Sequence, residues 1–298
     1  MSKKRISLSL FPNAGCTIPW VYTKKYNIKE RVFNKINIDS NFQVNTLNDI
    51  SFIQVNFCKT FRFDNSDLLL NGSIYPDNAL CIKRVLDEGI TDTCGVLSIV
   101  FGNFLTELNL EVRLVKATLT KYKGHHNHFF NILKWRDGRE YIVDVAVGYF
   151  NSFYPVEIGG NEIINNNNGY RCRKLAKDEE IGDKEMYIFE YRSLLPNGDN
   201  SWKVIVCFDR NMKVSFSTFV MAEQEYRKTK QLIIYLLFDE GSYFLTKDYF
   251  LIKYHNGENI NIPILSLNHL LEIANKYFKI DNFKVLKELF INYRKAKL

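Results

Sequence analysis

The spacing of apolar residues changes near Asn109, and this break constrains the fold more than any other feature of the chain. Upstream, Leu47, Ile50, Phe52, Ile53 and Val55 recur at helical spacing between Asn45 and Lys59. Leu80, Cys81, Val85 and Leu86 do the same behind a cap supplied by Asp77 or Asn78. Val96, Leu97, Ile99, Val100, Phe104, Leu105 and Leu108 predict one long amphipathic helix from Thr93. Downstream, Glu111–Ala117 alternates with period two, and Phe129–Trp135 and Glu140–Val147 read as two further strands. More strands are expected at Glu185–Tyr191, Trp202–Phe208, Lys213–Phe219, Tyr243–Leu245 and Tyr249–Lys253, then helices at Leu265–Tyr277 and Phe283–Tyr293. The asparagine run Asn165–Asn168 places an exposed loop over Ile163–Gly169. Helices, antiparallel strands and a mixed tail are segregated along the chain, which points to an α+β fold and away from an alternating parallel sheet.

A chain of 298 residues can bury a large core, so it needs neither disulfides nor a structural metal. The six cysteines, Cys16, Cys58, Cys81, Cys94, Cys172 and Cys207, are widely separated and form no CxxC pair. With no signal-type h-region near the N-terminus, reduced thiols and a cytoplasmic location are expected. No run of apolar residues is long enough to span a bilayer. The net charge of +7 is spread without a block of like charge; it reads as a solvated basic surface or as an attraction to an anionic partner.

One cysteine differs from the rest. Asp92-Thr93-Cys94 lies where the long helix begins, and Asp92 or Thr93 can cap it. A cysteine in the first turn feels the positive end of the helix dipole and unpaired backbone N–H groups, which favour thiolate and can hold an oxyanion. Taken alone, a small residue tolerated at a helix start explains Cys94 equally well.

Three of the five histidines fall in His125-His126-Asn127-His128, just before the Phe129 strand. They can be a solvated loop, or His126 and His128 can share one face of a strand as metal ligands, although spacing supplies no third ligand unless Cys94 serves. Asp144 sits inside Tyr141-Ile142-Val143-Asp144-Val145-Ala146-Val147, where a carboxylate is costly to bury without a partner. The loop joining the two strands links these residues. A three-residue loop, Arg136-Asp137-Gly138 with Gly138 left-handed, sets Trp135 opposite Arg139 and Phe130 opposite Asp144, so that His126 and His128 lie on the Asp144 face. A two-residue Asp137-Gly138 loop reverses the parity. With the longer loop, Asp144 orients an imidazole and that imidazole serves Cys94.

These residues, in this order, resemble the arylamine N-acetyltransferase family. The segment from Thr46-Leu47-Asn48-Asp49-Ile50 to Phe61-Arg62-Phe63-Asp64-Asn65 is similar to the family's stretch ending in Pro-Phe-Glu-Asn. Ile82-Lys83-Arg84-Val85 resembles the helix before the nucleophile. His128 with Tyr141-Ile142-Val143-Asp144-Val145-Ala146-Val147-Gly148 resembles the family's His strand and its Val-Asp-Val-Gly-Phe-Gly strand, and Pro155-Val156 its Pro-Leu. The likeness continues through Tyr243-Phe244-Leu245-Thr246 and Leu265–Phe278. Departures cluster at the site. Ile90-Thr91-Asp92-Thr93-Cys94 replaces Arg-Gly-Gly-aromatic-Cys, Gly95-Val96 replaces Phe-Glu, and Ala146-Val147 replaces Gly-Phe.

The resemblance implies an N-terminal helical bundle (1–108), a central antiparallel β-barrel (109–215) and a C-terminal α/β lid (216–298). It implies a catalytic triad of Cys94, His128 and Asp144, with Gly95, Val147 and Gly148 bordering the cofactor cleft, and no metal. The expected reaction is ping-pong transfer of acetyl from acetyl-CoA, as co-substrate, to an arylamine or hydrazine, by a monomer or homodimer with no nucleic-acid or membrane partner. Three other readings keep the same residues: a transglutaminase-like enzyme or cysteine peptidase, an amide synthase, and a silent family member acting as a binding protein. His126 in place of His128 is also open.

Overall fold

In the computed structural model, described residues are 20–72, 74, 77–119, 127–148, 151–175, 185–196, 198–228 and 230–295. The helical part opens with α1 (Lys29–Lys35) and α2 (Leu47–Thr60). Thr46 starts α2 with a capping box: its hydroxyl accepts from the Asp49 N–H at 3.2 Å, and the Asp49 carboxylate accepts from the Thr46 N–H at 2.7 Å. α3 (Ser66–Asn71) follows, then α4 (Asn78–Ile82), which Asp77 caps through the Leu80 N–H at 2.8 Å. α4 runs on through a π-helical turn, Lys83–Asp87, and α5 (Cys94–Glu107) is the long helix predicted from Thr93. Its residues from Cys94 to Leu105 are all buried, so α5 is a central helix more than a surface one.

The strands form two antiparallel sheets. Eight strands pair in the order β5, β4, β3, β2, β9, β8, β7, β6: β2 (Glu111–Leu119), β3 (Asn127–Lys134), β4 (Glu140–Val143), β5 (Val156–Glu157), β6 (Ile163–Asn165), β7 (Asn168–Lys174), β8 (Met186–Ser193) and β9 (Lys203–Asp209). A bridge from Ile158 to Cys172 ties the β5 end back towards β7, so the sheet curls into a nearly closed barrel. The second sheet joins β1 (Phe63–Asp64) to β10 (Ile234–Phe238), β11 (Gly241–Leu245), β12 (Tyr249–Tyr254) and β13 (Asn259–Pro263). It packs against α7 (Leu267–Phe278) and α8 (Lys284–Lys295), with Phe250, Leu270 and Phe278 in a core of their own. Another core lies inside the barrel around Phe130, Phe189 and Phe208, and the largest surrounds α5.

Three expectations change. Lys213–Phe219 is not a strand. Ser215 accepts from the Thr218 N–H at 3.1 Å and starts a helix, α6 (Phe216–Arg227). The alternation of Val214 and Phe216 is too short to outweigh that cap and the helix formers that follow. The strand through Asp144 stops at Val143, because the Asp144 carboxylate accepts from the N–H groups of Ala146 and Val147 and turns the backbone out of the ladder. The Asn165–Asn168 run is not a loose loop but the tip of the β6–β7 hairpin. Asn166 and Asn167 both take left-handed conformations, which asparagine tolerates better than most residues.

The loop between β3 and β4 has three residues. Lys134 pairs with Glu140 and Asn131 with Val143, the Trp135 N–H donates to the Arg139 carbonyl at 2.8 Å, and Gly138 has φ +83°. No atom lies within 4 Å of the position a Cβ on Gly138 would take. Substitution there costs backbone strain without a clash. Gly138→Ala is expected to destabilise the fold by about 1–2 kcal/mol, read as a lower urea midpoint at unchanged slope.

Candidate active site

α5 brings Cys94 to its first turn, and the hairpin brings His128 and Asp144 to it. Cys94 is 8% exposed, His128 2% and Asp144 3%. His128 Nε2 and Asp144 Oδ2 are 2.6 Å apart. The Cys94 sulfur lies near enough to the same imidazole to help raise it, and with Nε2 engaged by Asp144 the other ring nitrogen is the one left for sulfur. Sequence reasoning left open whether His126 or His128 meets Asp144. His128 does, while His125 and His126 lie outside the described residues.

Burial works against a charge on His128. The Asp144 carboxylate, by its charge and its hydrogen bond, and the Cys94 sulfur together outweigh burial and push the imidazole up to about 10. His128 thus keeps its proton through neutral pH, and the site presents an imidazolium between two acidic groups. Its share of fold stability is fully present below about 6.5 and is lost as the pH rises through about 10.

Asp144 is held from every side. Its Oδ1 accepts from the Ala146 N–H at 2.8 Å and the Val147 N–H at 3.1 Å. Its backbone carbonyl accepts from Gln54 Nε2 at 2.7 Å and Asn151 Nδ2 at 2.5 Å. Gln54 comes from the buried face of α2, so it ties the helical part to the turn that carries Asp144. Val147 is bound into the turn through its N–H, and Gly148 follows with φ +76°. Gly95 adjoins Cys94, but a Cβ there would lie 2.4 Å from the Phe219 ring and 2.9 Å from the Glu223 carboxylate. Phe219, on α6, packs against Trp20 and Phe129 and fills that space.

The first turn of α5 has Thr93 at its N-cap, yet no side chain caps the N–H groups that follow. Asp92 instead caps backward, accepting from the Thr93 N–H at 2.8 Å, and pairs with Arg84 Nε at 2.6 Å. Arg84 also reaches Asp67 at 2.8 Å. Burial raises Asp92 to about 6, and the Arg84 guanidinium and the Thr93 N–H hold it from rising further. Cys58, Cys81 and Cys172 are buried, and burial drives each above its ordinary value, as it does for half-buried Cys207. Among the described residues, no group of three or more His, Cys, Asp and Glu is placed to hold a metal ion, and no helix is long and apolar enough to cross a membrane.

The sequence pattern of the N-acetyltransferase family matches residues 44–285, most of the chain. The chain belongs to the arylamine N-acetyltransferase family. It is 24% identical over 237 residues to a Dictyostelium discoideum protein named probable arylamine N-acetyltransferase 3, covering 76% of each chain. Among solved structures, the arylamine N-acetyltransferase of Salmonella typhimurium superposes with a TM-score of 0.74 at 16% identity, over 91% of this chain and 100% of that one. That of Mycobacterium marinum, solved in complex with CoA, gives 0.70 at 14% identity, over 86% and 94%. The α+β architecture expected of the family is thus the observed one, and the chain is an acyltransferase of that family.

Other side chains lie beside the departures from the family pattern. Where the arginine before the nucleophile gives way to Ile90, Arg84 supplies a buried guanidinium from the preceding π-turn. Where the aromatic after the nucleophile gives way to Gly95, Phe219 arrives from α6. Gln54, Asn151, Arg84 and Phe219 were not singled out as site residues from sequence. Only Arg84 carried a signal, as a basic residue in a helix otherwise read as half apolar. Arg84→Met leaves the buried Asp92 without its partner, so a loss of about 3–5 kcal/mol is expected, measured by urea unfolding at pH 7. Below pH 5, where Asp92 is protonated, the loss is expected to shrink.

Proposed function

We propose that this acyltransferase carries an acetyl group from acetyl-CoA to the nitrogen of an arylamine or hydrazine through an acetyl-Cys94 intermediate. The observation that supports this most directly is the juxtaposition of Cys94, His128 and Asp144, with the unpaired N–H groups of the α5 first turn beside the sulfur. The Mycobacterium marinum relative was solved with CoA, which supports a CoA thioester as donor. The net charge of +7 suits the CoA phosphates.

In this reading the sulfur of Cys94 attacks the thioester carbonyl carbon. Charge moves onto the carbonyl oxygen, which takes hydrogen bonds from backbone N–H groups including that of Gly95. The bond from the carbonyl carbon to the CoA sulfur breaks, and His128 gives its proton to the departing CoA thiolate. An acceptor amine then attacks the acetyl carbon as His128 takes its proton, and the Cys94 sulfur leaves as thiolate. Asp144 fixes the imidazole and offsets its charge in both halves. Val147 and Gly148 border the donor cleft, from the turn that holds Asp144. Residues 1–108 deliver the nucleophile, 109–215 the base and its orienting acid, and 216–298 cover them. A reduced, cytoplasmic setting fits a free thiol at this position.

Intact-mass spectrometry tests the reading. After incubation with acetyl-CoA the protein is expected to gain one acetyl group, and Cys94→Ser to gain none. His128→Ala is expected to slow acylation by roughly 10²–10⁴-fold. No adduct with acetyl-CoA or longer acyl-CoAs at any pH would overturn acyl transfer from CoA. An adduct that a panel of arylamines and hydrazines fails to discharge would overturn the acceptor class.

A further inference from the structure

Glu223 is a buried carboxyl group that the mechanism above does not use. It lies on α6 and is 5% exposed. Its Oε1 accepts from the Thr93 hydroxyl at 3.0 Å and sits 2.9 Å from where a Cβ on Gly95 would be. The carboxyl therefore stands over the first turn of α5, against the residues on either side of Cys94. Among the described residues no lysine or arginine forms an ion pair with it. The groups that face it are Thr93 and Asp92 from the segment before α5, Cys81 from α4, and the Phe129 ring from β3 by way of Gly95. Arg84 stands behind Asp92 and is committed to Asp92 and Asp67.

A negative charge at that place opposes what the first turn does. The N–H groups of α5 favour an anion on Cys94 and on an oxygen held beside it, and a carboxylate over Gly95 offsets their field. A neutral carboxyl group keeps the hydrogen bond to Thr93 and leaves the field intact. We propose that Glu223 is a positioning residue for acyl transfer that works in its uncharged form, fastening the Thr93–Gly95 turn and slowing acylation of Cys94 when it ionises. The inference rests on the acetyl-Cys94 reading.

The surroundings keep the proton on Glu223 at neutral pH. Burial, helped by the charge of Asp92 and opposed by the Thr93 hydroxyl, raises it to about 8. His128 loses its proton near 10, so the two events are separated on the pH axis. The sign for stability follows. Glu223 contributes in full below about 4.5, and the contribution is lost as the pH rises through about 8.

The experiment is stopped-flow acylation of the full chain by p-nitrophenyl acetate, which does not depend on CoA recognition, from pH 6.5 to 9. The wild-type burst rate is expected to fall on the alkaline side with a midpoint near 8. In Glu223→Gln, which keeps an oxygen for Thr93, the ratio of the rate at pH 9 to that at pH 7 is expected to be roughly tenfold higher than in wild type. Thr93→Val removes a bond that favours the carboxylate and is expected to move the fall to higher pH. Thermal unfolding gives a readout free of activity: Glu223→Gln is expected to gain more Tm at pH 8.5 than at pH 5. Superimposable profiles for wild type and Glu223→Gln would overturn the proposal. If Glu223→Gln does not fold, a wild-type burst rate that stays level from pH 7 to 9 overturns it just as well. Absence of any burst in the wild type sinks the acyl-enzyme reading instead, so the two failures are told apart.

Discussion

The arrangement turns on a carboxylate that must be buried. Asp144 is 3% exposed in an apolar region, and an unpaired carboxylate there would cost several kcal/mol. Three groups offset that cost, the His128 ring and two backbone N–H groups of its own turn, while the amides of Gln54 and Asn151 fix its backbone carbonyl. Each also constrains its own element. The N–H bonds end β4, Gln54 ties α2 to the barrel, and the imidazole is left facing Cys94. Satisfying one buried charge thereby aligns a strand, a helix and the His128 ring beside Cys94.

The start of α5 shows the same economy of charge. Its N-cap residue, Thr93, makes no side-chain cap because its hydroxyl donates to Glu223, while Asp92 binds the Thr93 N–H and Arg84. A side-chain cap would stabilise the helix by about 1 kcal/mol, but it would occupy the donors that a developing oxyanion needs. The side-chain cap is missing at α5, as it is at α1 and α3. Elsewhere, at Thr46, Asp77, Ser215 and Ser266, side chains cap normally.

Much of this was legible in the sequence because it rests on local rules. The period break near Asn109 separated helix from strand, and Asp77 and Thr93 marked helix starts. Asp137-Gly138 marked a hairpin whose parity bears directly on His128 and Asp144. The errors have a common origin. Lys213–Phe219 alternates weakly, and only the Ser215 cap and the helix formers beyond it decide for α6. Glu140–Val147 reads as one strand because apolar periodicity does not register an aspartate that bonds its own backbone. Asn165–Asn168 reads as loop because the left-handed pair at the tip of a hairpin looks, in composition, like any asparagine-rich turn.

By itself the sequence determined which residue types were present and in what order: a cysteine at a helix start, a histidine entering a strand, and an aspartate at the end of the third strand after that helix. It also determined the family, since those residues sit in a collinear frame from 44 to 285. The tertiary structure decided what surrounds them. Arg84 pairs with Asp92 beside Cys94, Phe219 packs over Gly95, and Gln54, Asn151 and Glu223 reach the site from α2, the turn after Asp144 and α6. None of these contacts is local in sequence. Hydrogen bonding and burial act through distance in space, and only the folded chain brings residue 223 within 3.0 Å of residue 93.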